Sequence, residues 1–440
     1  GEYPKAFIMK EQRINANIAT ETFSKKELTE GDDKAKNSSI TYPYLTCELG
    51  GCMMPAYHRR INMSGDEAMP LAICKLGSGS NLPGYYMYHG GTNPYCAEHT
   101  MAETQATKVT NYNDMPYMSY DFQAPLGEMG QPNLNAFHQT RLLHQFLADW
   151  GEMLSLMDVD SLSDHYARRG CFEFYNDYVR ILNEDGKAYV RPVDMPFNGH
   201  SITADAQPFC FIGNTLYFIP IKGMTPRVWI DGKLVSGAKF QVSGLEIVLL
   251  TSDEAMRAFK IDDKLYFAKK AGNIMYKDGE KIVEEEWKVT KKLGSKNIKK
   301  VKDAAAPRIV PMGTQKVAAM PTNEDFENAA VWNLDLSGFK ESKVQCSMFN
   351  DQYLKISYAG DCARVYADGK LVMDNFWNGK PMLVRMSDLA GKNVELRILP
   401  LRKDAPIYLQ EKQKKELQQS NNYLLELKDI KVICRTTTQL

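Results

Sequence analysis

The chain has no surplus of either charge: 54 lysines and arginines face 54 aspartates and glutamates in 440 residues. A dedicated polyanion binder needs excess cations to neutralise phosphates, so nucleic acid is excluded as the principal partner. No uninterrupted run of about 18 apolar residues occurs, which excludes a helical membrane span. The opening Gly1-Glu2-Tyr3-Pro4-Lys5 does not read as a signal peptide. No Cys-x-x-Cys pair is present, and Cys47 and Cys52 are not at a familiar zinc spacing. The nine cysteines are an odd number and cannot all pair within one chain. They read as small buried residues with free thiols. No metal site and no cofactor motif stands out.

What is there is ordinary globular material, 44% hydrophobic and 25% charged, long enough for several domains. Residues 1–157 read as alternating strand and helix. Tyr44 to Leu49 is an apolar and β-branched run ended by Gly50-Gly51, a buried parallel strand in pattern. Ser64 and Glu67 have capping-box spacing ahead of a helix whose Met69, Ala72, Ile73 and Leu76 share a face. Pro70 is expected to bend that helix and Gly77 to stop it. Gly84 to His89 reads as the next strand. A long helix is expected from Asn133, with Phe137, Leu143, Phe146, Leu147, Trp150 and Leu154 as its apolar stripe. Strand, helix, strand, helix is the signature of a parallel α/β protein.

After residue 157 the period changes to two. Asp231-Gly232, Asp278-Gly279 and Asp368-Gly369 each separate strand-like runs, as hairpin turns do. Residues 158–287 read as a β-rich domain and 288–325, with their lysine-rich stretch, as a linker or long connection. Residues 326–440 read as a β-sandwich of jelly-roll type, in which Tyr366, Phe376 and Trp377 are expected to pack rather than to bind sugar.

Three places carry candidate chemistry. Glu48 ends an apolar strand, where a buried carboxylate is costly unless it is paired or functional. In a (β/α) barrel such strand ends face the active site. By strand parity Leu45 and Cys47 face the helix layer and Glu48 the barrel mouth. A structural carboxylate paired with an arginine is the competing reading. Tyr86 and Tyr88, expected on one face of the next strand, suit either sugar stacking or core filling. His89 reads as a structural hydrogen-bonder. Ser119-Tyr120-Asp121-Phe122-Gln123-Ala124-Pro125-Leu126-Gly127-Glu128 mixes aromatic and polar groups in a loop, as carbohydrate sites do.

Together these segments resemble glycoside hydrolase family 35, the β-galactosidases. Tyr44-Leu45-Thr46-Cys47-Glu48 resembles the seventh-strand segment of the family, and Tyr86-Met87-Tyr88-His89-Gly90-Gly91-Thr92-Asn93 its eighth-strand signature. Ser119 to Leu126 is similar to the loop that follows. The resemblance implies the last strands and helices of a (β/α)8 barrel over 1–157, incomplete in this chain, followed by β-sandwich or jelly-roll domains. It implies Glu48 as nucleophile, Tyr86 as a contact of galactose and nucleophile, and Tyr120 and Phe122 as substrate-binding residues. It implies no metal and no cofactor. Phe122 stands where the family has a tyrosine, so one hydrogen bond to sugar is lost. Gly50-Gly51-Cys52-Met53-Met54 replaces the aromatic segment that usually follows the nucleophile.

Retaining hydrolysis needs a second carboxyl about 5 Å from the first. In the family it lies in an Asn-Glu-Tyr segment on the fourth strand, and no such segment occurs here. A whole barrel takes roughly 250 residues, whereas Glu48 has only 47 before it. The expectation is therefore a chain starting near the sixth strand and inactive alone, with the missing barrel portion or a complementing chain as a partner. The implied activity is retaining exo-hydrolysis of terminal β-linked galactose in oligo- or polysaccharides, in the periplasm or outside the cell. The alternative is a non-catalytic carbohydrate-binding or assembly protein with a decayed barrel.

Overall fold

The structure is a computed structural model and describes residues 44–50, 52–95, 114–163, 165–178, 185–313, 316–339 and 352–440. The opening residues of the sequence, Gly1 to Lys5, lie outside the described residues. Strand β1 (Tyr44–Gly50) leads through helix α1 (Ala68–Gly77) to β2 (Ser80–Tyr86), and the two strands pair in parallel. This is one β–α–β unit of the kind a barrel repeats; no closed barrel stands among the described residues. The short strands β3 (Gly91–Thr92) and β4 (Ser119–Tyr120) pair antiparallel beyond it, and α2 (Leu134–Ser155) follows.

Local chemistry explains where these elements depart from the sequence pattern. Ser64 donates to the Glu67 carboxylate at 3.1 Å and the Gly65 amide donates to it at 3.0 Å, but this forms a turn before the helix, whose N-cap is Glu67 itself. Helix α1 starts at Ala68, so Pro70 falls in the first turn, where its missing N–H has no helical partner to lose. It terminates past Gly77: Ser78 is the C-cap and Gly79 takes the left-handed conformation at φ +100°. Helix α2 matches its expected stripe, with Phe137, Leu143, Phe146, Trp150 and Leu154 buried and Leu147 packed at the margin.

The two helices do not close on a barrel alone. They pack on the next sheet, β5 (Val159–Leu162), β6 (Tyr166–Arg169), β7 (Phe172–Asn176) and β8 (Ala188–Pro192), through Phe146 against Phe172 at 5.2 Å. Leu49 of β1 shares this core with Ile73, Leu76, Phe174 and Val190. Two further four-stranded sheets, drawn from residues 195–249, continue it.

The final module is built of two five-stranded sheets. One has the order β9 (Ile274–Asp278), β10 (Lys281–Lys292), β18 (Glu426–Gln439), β13 (Gln352–Ala359) and β16 (Met382–Arg385). The other has β11 (Ile298–Lys302), β12 (Ala330–Leu334), β17 (Val394–Ile398), β14 (Cys362–Ala367) and β15 (Lys370–Phe376). Leu354, Ile356 and Val432 of the first meet Val365, Leu396 and Ile398 of the second in one core. Within the stretch expected as linker, residues 288–292 and 298–302 are strand, paired into the two sheets, and their lysines are exposed. The hairpins at Asp231-Gly232 and Asp368-Gly369 form as the sequence indicates, both residues of each turn having positive φ. Trp377 and Phe376 are core residues, and Tyr366 lies under the Arg397 guanidinium at 4.5 Å.

Candidate functional site

The site sits where β1 and β2 end. Their register puts Leu49 opposite Tyr85 and Gly50 opposite Tyr86, so Glu48 and Tyr86 stand at the same, C-terminal edge of two adjacent parallel strands. From Thr46 to Leu49 β1 advances three residues while β2, from Pro83 to Tyr85, advances two. The extra residue makes a bulge, and Glu48 within it has φ +58°. Strict alternation therefore fails just before the carboxylate. Leu45, expected against the helix layer, is 56% exposed, whereas Leu49 is buried there. Glu48 itself is exposed. An expected buried carboxylate is instead solvated, re-aimed by backbone rather than by parity.

A second left-handed residue, Met87 at φ +63°, ends β2. It separates the two tyrosines that the sequence placed on one face. Tyr88 turns to α2, its hydroxyl 3.2 Å from that of Thr140 and its ring beside His144. Tyr86 turns the other way. Its hydroxyl lies 2.6 Å from the Tyr120 hydroxyl, and its ring meets Phe122 edge-on at 5.5 Å. Tyr120 and Phe122 are themselves 4.5 Å apart. Three of the four residues singled out in the sequence thus form one cluster; Phe122, 8% exposed, is its buried member, while Tyr86 and Tyr120 are half-open. His89 is exposed and its Nδ1 is engaged with the Gly90 carbonyl.

Sequence reasoning missed the groups that hold this cluster in place. Glu128 is buried and accepts hydrogen bonds from the hydroxyls of Thr92, at 2.5 Å, and Ser119, at 2.8 Å. Those two residues are directly opposite in the β3–β4 pair, so one carboxyl clasps the strand that carries Tyr120 to its neighbour. Burial, and then the negative charge of Asp121, push the Glu128 carboxyl up to about 8, against the two hydroxyls that favour its ionised form. Asp121 spans the loop: it accepts from the Gln123 amide at 3.0 Å and the Glu128 amide at 2.6 Å. Asp374, from the sandwich, accepts from the Tyr117 and Met118 amides at 2.9 and 2.7 Å. Cys52 donates to the carbonyls of Tyr86 and Met87, both at 3.3 Å, and burial, then Asp121, push its thiol up to about 12. It is a structural, unreactive thiol. The acidic residue at the end of the motif was visible in the sequence; the burial that makes it a clasp was not.

Residues 2–147 match the model of a known family, described as glycosyl hydrolases family 35. That stretch is similar to glycosyl hydrolases family 35. It spans about a third of the chain and includes Glu48, Tyr86, Tyr120 and Phe122. No curated protein matches the chain. The match supports a glycoside hydrolase, β-galactosidase-like in kind. Among the described residues no cluster of three or more histidine, cysteine or acidic side chains is arranged to hold a metal ion. Among the described residues no helix is long and apolar enough to cross a membrane. A cavity of about 750 Å³ near the 119–128 loop includes neither Glu48 nor Tyr86 in its lining. The candidate site is therefore located by the ring cluster and the strained backbone, which concentrates at working sites, and not by volume.

Proposed function

We propose that this chain takes part in retaining hydrolysis of terminal β-linked galactose, with Glu48 attacking the anomeric carbon to form a covalent glycosyl-enzyme. The observation that carries the reading is the placement of Glu48 at the strand edge shared with the Tyr86–Tyr120–Phe122 cluster, inside the segment that matches family 35. An exposed carboxylate beside half-open tyrosines can attack a sugar whose C–H face rests on the rings and whose hydroxyls meet the phenols. The acid/base carboxyl comes from outside the described residues, from the rest of a barrel or a complementing chain. Asp121 and Glu128 do not serve, being bound to the loop backbone and to Thr92 and Ser119. The substrate is a β-galactoside oligo- or polysaccharide met in the periplasm or outside the cell.

The test uses a 2-fluoro-galactosyl substrate with a fluoride or dinitrophenolate leaving group, which departs without protonation. The full chain should gain the mass of one fluorosugar, on the peptide containing Glu48, and the Glu48→Gln variant should gain none. No label on a folded chain, or a label on another carboxyl, overturns the assignment. A second reading, sugar binding without turnover, draws on Phe122 standing in place of the family's tyrosine; galactoside binding by an unlabelled chain selects it.

A further inference from the structure

The loop that carries the ring cluster has two faces. Tyr120 and Phe122 meet Tyr86, whereas Ser119, Asp121 and Gln123 line the cavity of about 750 Å³ on the reverse side. The opposite wall is the face of the first sandwich sheet, where Trp287 and Val289 of β10, Lys355 of β13 and Leu383 of β16 line the same space. The size is that of a ligand pocket.

The charges in this lining are largely satisfied from within. Lys270 pairs with Glu286 at 2.7 Å, and Lys380 donates to the Met63 carbonyl at 2.8 Å. Asp121 is saturated by loop amides, and Glu128 is clasped by Thr92 and Ser119. Lys355 is the one lining lysine whose side chain makes no hydrogen bond or ion pair among the described residues. A phosphorylated or acidic ligand thus meets one cation only, too few to recover the cost of removing an anion from water. What remains is amide and aromatic. Asn133, Asn135, Asn273, Asn375 and Asn378 line the space with the half-open indole of Trp287, and Val289 is 57% exposed. Asn378 is engaged at both ends, by Ile61 and Lys380, and Asn133, Asn273 and Asn375 each use one amide atom within the protein, so the Asn135 carboxamide and the second amide atoms of Asn133, Asn273 and Asn375 are the groups left to a ligand. A carboxamide both donates and accepts, as a sugar hydroxyl does, and an indole face or aliphatic side chain suits the C–H face of a pyranose.

We propose that this cavity is a glycan-binding subsite that holds a neutral oligosaccharide between Trp287 and Val289 on the sheet and Asn133 and Asn135 at the start of α2 opposite. It rests on the reading under "Proposed function" only for the identity of the sugar, a β-galacto-oligosaccharide. Because Ser119, Asp121 and Gln123 share a loop with Tyr120 and Phe122, a chain held here lies against the back of the ring cluster.

The test measures binding of β-1,4-galactotetraose to the full chain by calorimetry, with maltotetraose as the control. Val289→Arg fills the cavity from an exposed position that tolerates substitution, and should weaken tetraose binding by about ten-fold or more, as should Trp287→Ala, while fluorosugar labelling of Glu48 is unchanged. Lys355→Ala should leave binding within about two-fold, since the ligand is neutral. The inference is overturned if the wild-type chain binds no tetraose, if Val289→Arg binds it as the wild type does, or if Lys355→Ala is the variant that abolishes it. Binding that survives Glu48→Gln but not Val289→Arg supports the subsite even where no label forms at Glu48. A label at Glu48 without cavity-dependent binding overturns the subsite and leaves the hydrolytic reading standing.

Discussion

At the scale of single residues, Glu48, Met87, Phe122 and Gln123 all hold positive φ without being glycine. Each such residue costs about 1–2 kcal/mol, a cost persisting only where neighbours fix the geometry. The fixing groups are identifiable: the Gln123 side chain donates to the Met53 and Ile61 carbonyls at 3.2 and 2.8 Å and accepts from the Met63 amide at 2.8 Å. Glu128 adds a pH dependence whose sign follows from its burial. In the unfolded chain it titrates near 4.5, in the folded one near 8. Below pH 4.5 both states carry the proton. Between the two values only the unfolded state releases it, so stability falls as pH rises, by up to a few kcal/mol in all, and levels off above 8. Urea denaturation at pH 5 and pH 8.5 should show this loss in the wild type and a smaller one in Glu128→Gln. Equal losses in both would place the pH dependence elsewhere.

At the scale of elements, close approach decides what is tolerated. The chain after β2 lies against the 121–128 loop, with Gly90 donating to the Leu126 carbonyl at 2.7 Å and Leu126 to that of Tyr88 at 2.9 Å. A Cβ on Gly90 would stand 2.7 Å from the Asp121 carbonyl oxygen and 2.8 Å from the Glu128 nitrogen, both backbone atoms that cannot step aside. A Cβ on the neighbouring Gly91 meets nothing within 4 Å. Gly90→Ala should therefore destabilise by roughly 1–3 kcal/mol, and Gly91→Ala by much less, read as shifts of the urea midpoint. Helix α2 was legible from its stripe to within a residue. Strand β2 was not: it begins at Ser80, because pairing with β1 carries Leu82 and Pro83 into the ladder. A proline in a run argues against a strand from composition alone, and only the partner strand reveals that it is accommodated.

At the scale of the whole molecule, one buried ion network joins the segment that matches family 35 to the sandwich. Arg60, wholly buried, meets the Asp361 carboxylate at 2.5 Å and its carbonyl at 2.6 Å. Tyr57 donates to the same carboxylate at 2.9 Å, and Arg308, from between the sandwich strands, donates to the Tyr57 hydroxyl at 2.8 Å. Removing one partner leaves a buried charge uncompensated, a loss of about 3–5 kcal/mol. Asp361→Ala should lower the denaturation midpoint accordingly. If the 44–95 segment and the sandwich are separately stable, the single transition should split in two. An unchanged midpoint would mean that Arg60 finds water in the folded state. Three hundred residues separate Arg60 from Asp361 in sequence, and neither belongs to a motif, so no local pattern announces the pair.

The division between sequence and tertiary structure follows from range. Local chemistry settled the helices and the hairpins at Asp231 and Asp368, because periodicity and turn chemistry are readable over a few residues, and likeness to a family singled out Glu48, Tyr86, Tyr120 and Phe122 as candidates. Folding alone decided that a bulge re-aims Glu48, that Met87 parts Tyr86 from Tyr88, and that the two ends of the lysine-rich stretch are strand. It also decided that Glu128 is a buried clasp and that Asp361 needs Arg60. Each of these depends on which distant strand or charge lies alongside, and pairing partners and desolvation are properties of the assembled chain, not of any stretch of it.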